Sequence, residues 1–455
     1  LAIHLCIGQV YAMSVFKLPM TKLIGITKSG PGDWSQTQIA LIFSIAIFFL
    51  GMSAAIFGKW MERNGPRKAM FVAAVCFGSG FLVAALGVSL HNLWVVYLGY
   101  GVLGGVGLGI GYISPVSTLV KWFPDRPGMA TGMAIMGFGG GAMIGSPLAV
   151  YLMSAFSSPT TVGVAPAMVT MGIIYFLFMM FGVFMVRVPA EGWKPAGYVA
   201  PTQSSALITT ANVTADNAPK TRQFWLLWII LCFNVTAGIG ILEQASPMIQ
   251  EMLLRPAALK GIDPTNVAAV AKATAPLAAM AGGFVGLLSL FNMLGRFVWS
   301  SFSDFIGRKP VYFIYLLLGP VLYFLIPIAG RMESVPFFVL LCALILSMYG
   351  AGFATIPAYL RDLFGTAQVG AIHGRLITSW SVAGILGPLL VNGIRQYQLD
   401  HGAVGVDVYA PTMYLMCGLL LIGAFCNYLV GPVDSKYHVT DTGYSPSGAA
   451  QLKRS

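Results

Sequence analysis

Apolar runs long enough to cross a bilayer, one after another and parted by short polar turns, leave this chain few ways to fold. The hydrocarbon layer is about 30 Å thick and a helix rises about 1.5 Å per residue, so a span needs roughly 20 apolar residues. Twelve such runs can be placed, near 1–20, 37–58, 69–90, 93–117, 129–152 and 165–187, then near 223–251, 281–302, 310–330, 335–358, 368–394 and 410–431. With 57% hydrophobic and only 9% charged residues among 455, a soluble domain could not hide this apolar surface. Only helices and closed barrels satisfy their backbone in lipid. Runs of this length predict an all-α membrane protein, with twelve transmembrane helices in two six-helix bundles. A polar stretch rich in Pro, Ser and Thr divides them. The expected organisation is an N-terminal bundle over 1–187, a linker over 188–221, a C-terminal bundle over 222–431 and a polar, mobile tail over 432–455. Leu1 is not a methionine and the first run has no basic lead-in. It is expected to be a first span rather than a signal peptide, with the natural start missing or upstream.

Charge sets the sidedness. If the linker is cytoplasmic, sixteen of the 26 Lys and Arg fall on that side and eight on the other, while Arg296 and Arg375 lie within spans. The bias predicts a multi-pass protein of the inner or plasma membrane with both termini inside. The net charge of +11 therefore points to a lipid bilayer as partner and not to nucleic acid. The six cysteines sit in apolar runs without paired spacing, so neither disulfides nor a metal site is expected. Glycine clusters over 99–111 and 137–145 mimic nucleotide-binding loops. They lie inside spans with no strand before them, where small residues let helices approach closely. No catalytic constellation stands out, so no cofactor and no enzyme activity are expected.

One span carries a cation. The run from Ser289 to Phe302 is apolar apart from a few small polar side chains and Arg296, which stands eight residues before Asp304 in the following polar turn. That places it about 12 Å into the hydrocarbon layer. A charge there costs at least ~2.5 to 3.5 kcal/mol on insertion scales, so it is expected to face a wet cavity and an anion. The planar guanidinium fork suits a carboxylate. Asn292 lies one turn earlier on the same face, where bonding the arginine, bonding the ligand and a plain helix contact all remain open. Counted from their span ends, Tyr112, Phe138, Tyr349 and Trp380 reach a similar level, about 15 to 18 Å deep, with Phe353 slightly shallower. A single membrane aromatic most often only packs, so each ring is a candidate lining residue and no more.

The two halves repeat at a displacement of 242 residues, which carries Glu62 to Asp304, Gly65 to Gly307, Gly132 to Gly374 and Phe138 to Trp380. A 6+6 duplication about a linker is the pattern of a rocking-bundle transporter with a midplane site. The segment from Gly58 through Glu62, Arg63, Gly65 and Arg67 to Lys68 resembles the loop motif of the major facilitator superfamily. Tyr11 to Pro19, Trp122 to Arg126, Gln223-Phe224-Trp225 and Asn292 with Arg296 resemble the oxalate/formate antiporter family, a relative of the monocarboxylate transporters. The resemblance covers essentially the whole chain. It implies the major facilitator fold and an aromatic binding chamber, with Tyr11, Tyr112, Phe138, Tyr349, Phe353, Trp380 and Arg296 at matching positions. In the oxalate-exchanging member a second cation stands where Trp380 aligns. Tryptophan cannot neutralise a second carboxylate, which favours a monocarboxylate such as lactate, pyruvate, formate or acetate.

Glu62 and Asp304, with Arg63 and Arg308 nearby, are candidates for holding the cytoplasmic side closed. A carboxylate at a helix N-terminus is favoured by about 0.3 to 1 kcal/mol, although positive-inside anchoring also explains the arginines. Glu243, four residues before Pro247, and His373, at the start of the eleventh span, are the titratable candidates for proton coupling. An interfacial glutamate and an ordinary helix-start histidine are the plainer alternatives. The expectation is a secondary active transporter of a small carboxylate anion, with protons as coupling ion. An oxalate/formate-type exchanger and a membrane sensor that binds a carboxylate without moving it are the competing readings.

Overall fold

A computed structural model describes residues 1–26, 29–190, 193–195, 197, 207–263, 266–274 and 276–439. Among these, eleven helices are long and apolar enough to cross a membrane. The first run is built differently: α1 (Ala2–Ile7) and α2 (Ser14–Met20) flank a 3₁₀ stretch, Gly8–Met13. A single unbroken helix is expected there. The tighter winding coincides with close contact, because Gly8 is pressed on the Phe138 carbonyl and a Cβ on Gly141 would lie 2.6 Å from the Gly8 carbonyl carbon. Five long helices complete the first bundle: α3 (Gln36–Asn64), α4 (Pro66–Ser89), α5 (Leu93–Trp122), α6 (Pro127–Ala155) and α7 (Val164–Met185). The second holds α8 (Arg222–Ile249), α9 (Leu277–Ile306), α10 (Arg308–Arg331), α11 (Val335–Phe364) and α14 (Val406–Leu429), together with one span in two pieces, α12 (Val369–Leu376) and α13 (Thr378–Asp400).

The helix ends follow from local chemistry. Ser35 opens α3 through a capping box, its Oγ accepting from Gln38 N at 3.2 Å while Gln38 Oε1 accepts from Ser35 N at 2.9 Å. Gly65, with φ 84°, ends α3 and starts α4; Gly307, with φ 91°, does the same between α9 and α10. Left-handed backbone of this kind favours glycine, and the two turns stand at equivalent places in the repeat.

Small residues set the packing. A Cβ on Gly80 would come 2.7 Å from Gly104 N, and one on Gly107 would come 2.6 Å from Phe77 N, so α4 and α5 touch almost backbone to backbone. Across the bundles, α6 packs on α9, and α3 packs on α12 and α13. These cross-bundle contacts gather toward the linker. At the other end of α9, Gly282, Gly283 and Gly286 have open space where a Cβ would stand. The linker is docked and not merely a spacer: β1 (Asn212–Val213) pairs antiparallel with β2 (His438–Val439). The segment following α14, expected to be mobile, is thus held as far as Val439.

Candidate functional site

Arg296 on α9 is fully buried. Its Nε donates to Asn292 Oδ1 at 3.1 Å, one turn earlier on the same helix. Neither Nη1 nor Nη2 has a hydrogen-bond acceptor among the described residues, and no described carboxylate pairs with the guanidinium. Two glycines make room for this side chain. A Cβ on Gly139 would lie 3.1 Å from Arg296 Nε; one on Gly350 would lie 3.0 Å from Arg296 Cγ and collide with Asn292 Oδ1.

Aromatic rings enclose the guanidinium. Its carbon lies 5.8 Å from the Phe138 ring centroid and 5.4 Å from that of Phe353, within cation–π reach. Trp380 sits 5.4 Å from Phe138, 4.4 Å from Phe353 and 5.5 Å from Tyr112. Tyr11 meets Phe138 edge-on at 5.3 Å, and its hydroxyl is 3.3 Å from that of Tyr349, joining the first span to α11. The Tyr11 and Tyr112 hydroxyls both lie toward the Arg296 guanidinium, and that of Tyr112 stops short of hydrogen-bond geometry with any described residue. The five rings expected at a similar level and Tyr11, which the family resemblance implied, therefore form one cage, together with Arg296 and Asn292. Chemically it offers two free guanidinium donors and a phenol in a wall of low polarity. Such a cage strengthens a charge pairing and limits the size of its guest.

Closer to the linker, two carboxylates bind across the bundle interface. Asp304 accepts from Gly128 N at 2.9 Å and Met129 N at 2.8 Å, the free amides at the start of α6. Glu62 accepts from Gly370 N at 3.1 Å at the start of α12, and pairs with Lys121 at 2.9 Å. Each acid meets a helix N-terminus of the opposite bundle, where the unsatisfied amides and the helix dipole favour it. Gly128 and Gly370 are themselves 242 residues apart, so the two latches are copies of one contact. Arg308 pairs with Asp304 at 2.6 Å and with Asp362 at 3.3 Å, and Arg361 bonds Asp362 at 3.2 Å and the Pro124 carbonyl at 3.1 Å. Arg63 is exposed and joins none of these contacts among the described residues.

The linker adds a third tie. Asp216 bonds Lys59 at the end of α3 and Arg375 on α12, at 2.9 Å for the latter, so one carboxylate spans both bundles. Hydrogen bonds from Lys59 and then Arg375 hold its carboxyl below the usual aspartate range. Neither Asp216 nor Asp362 stands out in the sequence. Asp362 is marked only by following Arg361 at a span end, and Asp216 by being an acid in a polar segment.

The coupling candidates separate. His373 is buried, its ring 5.9 Å from Tyr112 and both its nitrogens without a described partner. The Glu243 side chain lies outside the described residues, although its backbone continues α8. A histidine that the sequence does not mark, His4, is fully buried beside the cage, its ring 5.3 Å from Tyr112.

Comparison with known proteins agrees with this architecture. The family model of the Major Facilitator Superfamily matches residues 2–286 and 260–452. The oxalate:formate antiporter of Oxalobacter formigenes is 23% identical over 380 residues, covering 84% of this chain and 79% of that protein. The apicoplast pyruvate carrier 1 of Toxoplasma gondii is 22% identical, covering 96% and 88% respectively. Among solved structures, the transporter FucP in its outward conformation superposes with a TM-score of 0.61 at 13% identity, over 94% of this chain and 97% of that one. By the match along both halves, this chain belongs to the major facilitator superfamily: it is a membrane transporter and not an enzyme.

Proposed function

We propose that this transporter moves a small monocarboxylate by alternating access, with proton coupling, across the cell membrane with both termini and the linker on the cytoplasmic side. The observation that carries the substrate class is Arg296, buried with two unpartnered guanidinium nitrogens inside an aromatic cage. A buried charge without a partner is costly to keep, and a planar carboxylate is the guest that matches two parallel N–H donors. Asn292 holds the fork in place from behind, while Phe138, Phe353 and Trp380 close the sides and Tyr11, Tyr112 and Tyr349 bring hydroxyls to the guest. Only one cation serves the cage among the described residues, which supports a single negative charge. The names of the relatives, a carrier of pyruvate and an exchanger of oxalate and formate, fall in the same class of small carboxylates.

The latches at Asp304 and Glu62 supply the moving part. Releasing the acids from the helix N-termini frees the bundles to part at the linker side, and the carboxylate leaves there. Proteoliposomes are the direct assay. Radiolabelled pyruvate, formate and oxalate are offered with a proton gradient, with a trans-side carboxylate, or with neither. Accumulation of a monocarboxylate driven by the proton gradient is the expected result. Uptake that demands a trans-side carboxylate and leaves internal pH unchanged would replace symport with exchange. Saturable binding without any flux would make the chain a sensor.

A further inference from the structure

His4 is held in a way that a neutral imidazole does not satisfy. Its Nδ1 lies 2.6 Å from the Ala134 carbonyl oxygen on α6, and its Nε2 lies 3.0 Å from the Tyr112 carbonyl oxygen on α5. Both partners are acceptors. A neutral imidazole has a single N–H, so one ring nitrogen then turns a lone pair toward a carbonyl; the imidazolium has two N–H groups and satisfies both. The ring is fully buried, and no carboxylate bonds it among the described residues. The titratable side chains within its electrostatic or ring reach are Arg296 on α9, Tyr112 on α5 and His373 on α12. None of these carries negative charge near neutral pH. A second positive charge within electrostatic reach of Arg296 is repelled by it, and an anion seated at the guanidinium relieves that repulsion.

We infer that His4 is the proton-binding residue whose charging is linked to occupancy of Arg296 by a carboxylate. This inference rests on the monocarboxylate reading of the cage and names the residue that carries its coupling ion. Arrival of the anion at Arg296 cancels the repulsion, and the bare ring nitrogen of His4 takes one proton from water. The cation then donates to the Ala134 and Tyr112 carbonyls. Departure of the anion restores the repulsion and returns the proton to water on the other side. Anion and proton travel as a neutral pair, and no other bond is made or broken. By linkage, the protonated state of His4 strengthens anion binding by the same factor as the anion strengthens proton binding. His373 fits this role less well, because its nitrogens face no acceptor that would reward a second N–H.

The purified full chain in detergent, titrated calorimetrically with pyruvate in two buffers of different ionisation heat, gives the protons taken up per anion bound. The wild type is expected to take up close to one proton per pyruvate, with affinity falling about tenfold per pH unit above neutrality. In His4→Gln, which keeps one donor and one acceptor in the ring's place, affinity is expected to lose that pH dependence. Wild-type binding without proton uptake overturns the inference even if the variant does not fold. So does a His4→Gln that still takes up a full proton, or a His373→Gln that loses the uptake while His4→Gln keeps it. Failure of the wild type to bind pyruvate, formate or oxalate at all is a distinct outcome, which removes the carboxylate reading and this inference with it.

Discussion

At the scale of single residues, the cage depends on shape as much as on charge. Arg296→Lys keeps the charge and loses the planar fork, so pyruvate affinity is expected to fall at least about tenfold, or about 1.4 kcal/mol. A thermal-shift titration would register this as a weaker stabilisation by ligand. Gly350→Ala tests the space and not the charge. Its Cβ would collide with Asn292 Oδ1 and come 3.0 Å from Arg296 Cγ, an overpacking that costs roughly 1 to 3 kcal/mol. Lower melting temperature together with lost transport is expected, even though no polar side chain has been replaced. Trp380→Lys would put a second cation into the cage beside Phe353 and Phe138. The expected result is a shift in competition assays from pyruvate toward oxalate, because two carboxylates then find two positive partners. Unchanged selectivity in a folded variant would show that the guest does not reach Trp380.

At the scale of elements, helix ends join the two bundles on the linker side. Asp304 at the start of α6 and Glu62 at the start of α12 each satisfy amides that no intrahelical carbonyl can reach. The linker ties the same two bundles through Asp216, Lys59 and Arg375. Because the Asp216 carboxyl is held below its ordinary value, its contribution is fully present above the usual aspartate pKa and is lost as pH falls through the lowered value. Asp216→Asn is therefore expected to raise hydrogen exchange in β1 near neutral pH, and the difference from wild type is expected to shrink under acid. A pH-independent difference would assign the residue a purely steric part.

At the scale of the whole molecule, alternating access requires that contacts such as Gly58 on Ala371 open and close in each cycle. A Cβ on Gly58 would lie 3.5 Å from that of Ala371 and 2.9 Å from its Cα, so once the two helices give by a few tenths of an ångström the pair stands within disulfide spacing, roughly 3.5 to 4.5 Å. Gly58→Cys with Ala371→Cys is expected to cross-link under oxidation, stop pyruvate flux, and recover on reduction. Flux that survives cross-linking would mean that this end need not open. The sequence by itself determined the membrane class, the duplication and the place of Arg296 along its span, and of its twelve apolar runs eleven are helices long and apolar enough to cross among the described residues. Each of these follows from periods and distances along one chain, and hydrocarbon thickness converts residue counts directly into depth. Five rings of the cage were legible as residues at a similar level, since depth in two repeated halves needs only counting, whereas Tyr11 was legible only through the family resemblance. Which way each ring turned was not legible, because a helix rotates its neighbours to different faces and only packing selects the inward one. The same holds for His4, whose two acceptors lie on α5 and α6, and for Asp216, whose partners are 157 and 159 residues away in the chain. Contacts of that separation leave no periodic trace in the sequence. They exist only once the bundles have closed on one another, and so the tertiary structure alone decided them.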